Sequence, residues 1–137
     1  MRRLNSPVPL SPSEGSHVVT AIVVDDTEDV RATVASALEA DGWVVHQYPD
    51  ASPVFDAPEL TDADLVVCDL SMPTPGDTLL EALHARGIEV PIVMMSGDFA
   101  GREAELVRKG ARALLRKPFR LADLLSLAWD LVPTHVQ

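Results

Sequence analysis

Asp25 and Asp26 close one apolar run, Val18–Val24; Asp69 closes another, Leu65–Cys68. Ser96 closes a third, Val90–Met95, and Lys117 follows a fourth, Ala113–Arg116. If these runs are parallel strands of one sheet, their carboxyl ends converge on a single crevice. Three carboxylates, one ammonium and one hydroxyl then share a small volume. Two carboxylates about 4 Å apart repel by about 4 kcal/mol at an effective dielectric of about 20, so three of them call for a counter-charge. A hard divalent cation supplies it, and oxygen-only ligands favour Mg²⁺, with Mn²⁺ as the alternative, over Zn²⁺. His17, His46, His84 and His135 are scattered and show no metal-ligand spacing. Lysine is a strong point charge for phosphate, and a serine hydroxyl can donate to a phosphoryl oxygen. The inventory fits phosphoryl transfer through an aspartyl phosphate. Each residue also has a plainer reading: Asp26 or Thr27 as a helix cap, Lys117 as a surface charge. Four such residues at the same edge of one sheet favour the site.

The elements that must position these residues alternate along the chain. Val18–Val24 is a continuous β-branched run, as expected of a strand covered on both faces. Val30, Val34, Ala37 and Leu38 recur at helical spacing, with Gly42 where a C′ glycine belongs. Trp43–Tyr48 reads as a second strand. The stretch 50–60 carries Pro53 and Pro58, so a helix there is short or irregular. Leu65–Cys68 is a third strand; Leu79, Leu80 and Leu83 mark a helix ended by Gly87. A fourth strand, Val90–Met95, has Pro91 at its start, where a missing donor is tolerated. Glu103–Lys109 is a fourth helix stopped by Gly110, Ala113–Arg116 a fifth strand, and Leu121, Leu124, Leu125 and Ala128 share one face of a fifth helix closed by Pro133. Five strands alternating with five helices, joined by short right-handed crossovers, predict a doubly wound α/β sandwich.

The length of 137 residues suits one domain with a substantial core. Residues 1–17, rich in Ser and Pro and without periodicity, read as a flexible N-terminal segment; 18–133 form the domain and 134–137 a C-terminal tail. Aromatic residues are only 4% of the chain, so Val, Leu and Ala must build the interior. A net charge of −10 argues against nucleic-acid binding by this domain. No apolar run approaches the roughly 20 residues that span a bilayer, and Met1-Arg2-Arg3 leads into no apolar signal segment. The single cysteine, Cys68, forms no intramolecular disulfide, and its place in an apolar run suits a reducing, cytoplasmic compartment.

Four motifs in order, Val-Val-Asp25-Asp26, Asp69-Leu-Ser-Met72-Pro73, Met-Met-Ser96-Gly97 and Lys117-Pro118-Phe119, resemble the receiver domains of two-component response regulators, over about Val19–Val132. The resemblance implies a flavodoxin-like (βα)5 three-layer sandwich, with a parallel five-stranded sheet in the order 2-1-3-4-5. It implies that Asp69 takes a phosphoryl group from the phosphohistidine of a sensor histidine kinase or histidine phosphotransfer protein. Asp26 and Asp69 would ligate Mg²⁺ directly, Asp25 largely through water and Ser71 through its backbone carbonyl. Ser96 would hydrogen-bond the phosphoryl group and draw its loop inward, and Lys117 would pair with a phosphoryl oxygen. Ser71 and Asp98 would tune the phosphoryl lifetime. The Lys117–Pro118 bond is expected cis, as is usual in the family.

The chain departs from the family in three places. Leu114 stands three before the lysine, where the family has an aromatic switch residue, and leucine offers no rotating ring. Pro53 and Pro58 disturb the second helix, and Gly76 comes one place earlier than expected after Met72-Pro73. The family's output face, built from the fourth helix, fifth strand and fifth helix, would here include Arg108, Arg112, Arg116 and Trp129, and could form a homodimer; packing on the last helix is the equal alternative for Trp129. Two other functions compete. A Mg-dependent aspartyl-phosphate phosphatase usually has an acid two residues after its nucleophile, where Ser71 stands. A receiver-like module that is never phosphorylated would not need the intact acidic set. The domain is either free-standing or a piece of a larger regulator or hybrid kinase.

Overall fold

The computed structural model describes residues 18–132, so the N-terminal segment 1–17, Pro133 and the tail 134–137 lie outside the described residues. The elements run β1 (Thr20–Val24), α1 (Glu28–Ala40), β2 (Val44–Tyr48), two 3-10 turns (Ser52–Asp56 and Pro58–Thr61), β3 (Leu65–Asp69), α2 (Gly76–Ala85), β4 (Ile92–Ser96), α3 (Glu103–Arg108), β5 (Ala113–Arg116) and α4 (Leu121–Leu131). The five strands pair in parallel in the order β2-β1-β3-β4-β5, the flavodoxin-like arrangement.

Strand alternation divides the interior into two layers. Ile22, Val24, Val66, Cys68 and Met94 face the layer covered by the 3-10 turns, α2 and α3. Ala21, Val23, Val67, Val93 and Met95 face the layer covered by α1 and α4, where Val34, Leu38, Leu124 and Ala128 meet them. β3 and β4 are buried along their whole length, as strands covered on both faces must be.

The expected second helix is replaced by the two 3-10 turns, so the described residues hold four α-helices rather than five. Pro53 and Pro58 lie near the start of each turn, where a missing N–H costs nothing, but neither permits a continuous α-helix. β4 begins at Ile92, two residues later than Val90, since Pro91 has no N–H to give a ladder; its carbonyl still accepts from the Val66 N–H at 2.9 Å. β1 likewise begins at Thr20, and Val18 is exposed. Gly42 adopts φ +100° immediately after α1, the left-handed cap its position suggested. Just beyond it, the buried Trp43 ring lies 5.0 Å from that of Trp129, whose Nε1–H donates to Asp41 Oδ2 at 2.7 Å. Trp129 thus ties the end of α4 to the end of α1.

Candidate functional site

The sheet register sets the site. Val24 is level with Cys68, Asp69 with Met95, and Ser96 with Arg116, so Asp25, Asp69, Ser96 and Lys117 emerge at one edge. β1 lies between β2 and β3, and the direction of winding reverses there, which opens the crevice at the carboxyl ends of β1 and β3.

Asp25 is fully buried, Asp69 is 5% exposed and Ser96 3% exposed; Asp26 faces solvent. Carboxylate oxygens of Asp25, Asp26 and Asp69 all lie within 4.8 Å of one another. Lys117 Nζ reaches between two of them, 2.9 Å from Asp25 Oδ2 and 3.2 Å from Asp69 Oδ1. Its placement depends on the strand end: the Lys117 N–H donates to the Ser96 carbonyl at 2.8 Å, and the following Lys117–Pro118 bond is cis as expected.

The electrostatics follow from this crowding. Burial pushes the Asp69 carboxyl up; Lys117 pulls it down, Asp25 and Asp26 push it up, and it ends above its ordinary value. Burial would lower the Lys117 ammonium, but its hydrogen bond to Asp25 and the charges of Asp69 and Asp25 hold it above its ordinary value. One ammonium against three carboxylates leaves the cluster anionic. The donor set is all oxygen, and the neighbouring Cys68 thiol is buried, pushed up by burial and directed at the Asp69 carbonyl. These residues fit a hard divalent cation.

Asp25 is more constrained than its neighbour. Its Oδ1 accepts the Thr27 N–H at 2.9 Å, its Oδ2 takes Lys117, and its backbone carbonyl accepts from Arg31 Nη1 at 2.9 Å. Thr27 is the N-cap residue of α1 but makes no side-chain cap; the Asp25 carboxylate binds the N-cap N–H instead. Arg31 was not legible as a site residue, because nothing in the pattern separates it from other helical charges. Ser71 is exposed at the start of the loop after β3. That loop is fastened by the Thr74 N–H to Asp50 Oδ1 at 2.9 Å.

The early glycine has a packing role. Gly76 is the first residue of α2, its N–H donates to the Leu70 carbonyl at 3.0 Å, and a Cβ there would collide with the Asp69 carbonyl oxygen. The shortened loop therefore seats α2 directly on the end of β3. On the next strand, Ser96 Oγ donates to the Asp98 carbonyl at 2.8 Å and accepts the Asp98 N–H at 3.1 Å. The Asp98 carboxylate turns into its own loop and accepts the Ala100 N–H at 2.8 Å. Leu114 is half-buried against the layer of α2 and α3.

The family model of the response regulator receiver domain matches residues 21–128. The transcriptional regulatory protein FixJ of Azorhizobium caulinodans is 34% identical over 106 residues, 76% of this chain and 50% of FixJ. The transcriptional regulatory protein TdiR of Thauera aromatica is 37% identical over 109 residues, 77% of this chain and 48% of TdiR. The receiver domain of NtrX from Brucella abortus is 29% identical, covers 83% of this chain and 98% of that one, and superposes with a TM-score of 0.73. The chain belongs to the response regulator receiver family, the phosphoacceptor signalling domains of two-component systems. It spans about half the length of the curated relatives it matches. Among the described residues no helix is long and apolar enough to cross a membrane.

Proposed function

We propose that Asp69 is the phosphoacceptor of this receiver and that Asp25, Asp26, Ser96 and Lys117 serve its phosphorylation. The supporting observation is the convergence of three carboxylates within 4.8 Å, two of them bridged by Lys117, at one end of the sheet. A carboxylate oxygen of Asp69 attacks the phosphorus of a phosphohistidine on a sensor histidine kinase or histidine phosphotransfer protein. The P–O bond forms as the P–N bond breaks, and the imidazole leaves with the electron pair. Asp26, Asp69 and the Ser71 carbonyl would hold Mg²⁺ or Mn²⁺, with Asp25 acting through water because both its oxygens already have partners. The cation supplies charge neutralisation for the incoming phosphoryl oxygens. Lys117, already poised at Asp69 Oδ1, pairs with one of them, and Ser96 turns from Asp98 to another. The buried thiol of Cys68 suits the reducing cytoplasm. Exposed Arg108 at the end of α3, Arg112 in the turn that follows and Arg116 at the end of β5 are the surface offered to an output partner or a second copy; Trp129 is occupied in packing against Trp43 and Asp41.

Incubation with Mg²⁺ and acetyl phosphate, followed by intact mass, tests this. One phosphoryl mass is expected on the wild type and none on Asp69→Asn; an equal gain on both would refute the assignment. Mg²⁺ at ten times its Kd should also stabilise the fold by about 1.4 kcal/mol.

A further inference from the structure

With Leu114 in place of a ring, some other element must connect the phosphorylation site to the helices. Ser96 opens the loop to α3, and that loop is tied at nearly every position. Ser96 is bonded to Asp98, the Asp98 carboxylate holds the Ala100 N–H, and the Arg102 N–H donates to the Phe99 carbonyl at 2.9 Å. Phe99 is 3% exposed, which fixes the middle of the loop in the core. Ala100 adopts φ +53°, a left-handed conformation that a residue with a Cβ takes only under constraint. A loop so short and so fully bonded passes a displacement of Ser96 on to its far end, Arg102.

Arg102 is where α3 is fastened. Its Nη2 donates to Asp77 Oδ2 at 2.7 Å and to Glu105 Oε2 at 2.9 Å, and its Nε donates to Glu105 Oε1 at 2.9 Å. Lys109, just past the end of α3, adds bonds to Glu81 at 2.9 Å, Glu105 at 3.0 Å and Asp77 at 3.4 Å. The helix itself has six residues and buries one, Leu106, so apolar packing holds it weakly. Asp77 cannot follow a moving Arg102, since it is the second residue of α2 and the preceding Gly76 is seated on the Asp69 carbonyl.

We propose that the Asp77–Arg102 pair is a latch that holds α3 against α2 in the unphosphorylated domain. Its release, in place of a rotating ring on β5, transmits phosphorylation to α3. The inference rests on Asp69 being the phosphoacceptor. Inward movement of Ser96 draws on the loop, Arg102 leaves Asp77, and the start of α3 loses its attachment to α2 while Lys109 still holds the other end to Glu81. The state without the latch is the one that phosphorylation favours, so breaking the latch by mutation must in turn favour phosphorylation.

The test uses the whole chain, Asp77→Asn, Arg102→Gln and the double variant. Amide hydrogen exchange is followed over residues 102–109, and phosphorylation by acetyl phosphate with Mg²⁺ by intact mass. In the wild type, exchange in that segment should quicken on phosphorylation. In either single variant it should be quick beforehand, with the plateau ratio of phosphorylated to unphosphorylated protein about fivefold higher or more, the lower bound of a typical coupling. The double variant should fall short of the sum of the two singles, because both remove the Asp77–Arg102 pair, while Asp77→Asn alone also releases Lys109 and Arg102→Gln alone also releases Glu105. Unchanged exchange in phosphorylated wild type overturns the latch, as do wild-type plateau ratios in the single variants. Should Asp77→Asn fail to fold, the half-exposed Arg102→Gln decides alone. Absence of phosphoryl uptake by the wild type is a distinct result, and overturns the acceptor assignment together with the latch.

Discussion

Replacing Gly76 by alanine puts a methyl group where the fold has left no room. The new Cβ would lie 2.8 Å from Met94 Cε and 3.1 Å from Cys68 Sγ, and closer still to the Asp69 carbonyl oxygen. The Met94 methyl can swing aside, but the carbonyl moves only if the backbone of Asp69 moves with it. Overpacking of this kind costs about 1–3 kcal/mol, and a backbone obstacle places it at the upper end. The better helix propensity of alanine returns at most about 1 kcal/mol, leaving a net loss of about 2 kcal/mol. At about 4 °C per kcal/mol for a domain of this size, Tm should fall by about 8 °C. The displaced carbonyl belongs to the backbone of the candidate acceptor, and disturbing the groups that orient a metal ligand typically costs about 10- to 100-fold in metal affinity. Mg²⁺ affinity measured by the ligand-induced Tm shift should therefore fall about tenfold or more. Gly97→Ala is the control, since a Cβ there meets nothing within 4 Å. A Gly76→Ala protein melting within 2 °C of wild type, with unchanged Mg²⁺ affinity, would refute the seating of α2 on Asp69.

Two further predictions concern charges. Lys117→Ala leaves the buried Asp25 and Asp69 facing each other, which in metal-free buffer should cost about 3 kcal/mol; saturating Mg²⁺ should close most of the gap to wild type, and a gap equal with and without Mg²⁺ counts against the shared site. Tyr48 donates to Glu59 Oε2 at 2.5 Å, and burial together with that carboxylate pushes its phenol up to about 12. Since the folded phenol keeps its proton where the unfolded one loses it, this contribution to stability is complete below about pH 10 and lost as pH rises to about 12. Spectrophotometric titration should show the late ionisation, and Glu59→Gln should bring it earlier.

Much of this was legible in the sequence because burial leaves a strong imprint. β3 and β4 lie inside the sheet, and their uninterrupted apolar runs end at Asp69 and Ser96. The edge strand β2, with exposed Val44 and Gln47, carried a weaker signal, with Gly42 marking its near side. Pro53 and Pro58 announced a broken helix but not that two 3-10 turns would take its place, as that choice depends on how Val54 and Leu60 pack beneath β1 and β3. At the site, strand-end position identified Asp25, Asp26, Asp69, Ser96 and Lys117 as neighbours. It did not show that Thr27 and Lys117 divide the Asp25 carboxylate, that Asp98 turns into its own loop, or that Arg102 meets Asp77 across 25 residues. Those contacts are set by tertiary geometry and have no local pattern.

The chain has two tryptophans, and their rings meet at a 45° tilt beside Asp41. Trp43 precedes β2 and Trp129 lies in the last turn of α4, so both lie at the edge of the sheet opposite the acidic crevice. Intrinsic fluorescence of this protein is thus a reporter of global unfolding that stays dark to chemistry at Asp69. A metal or phosphoryl titration can be followed by another signal while tryptophan emission certifies, in the same cuvette, that the domain remains folded.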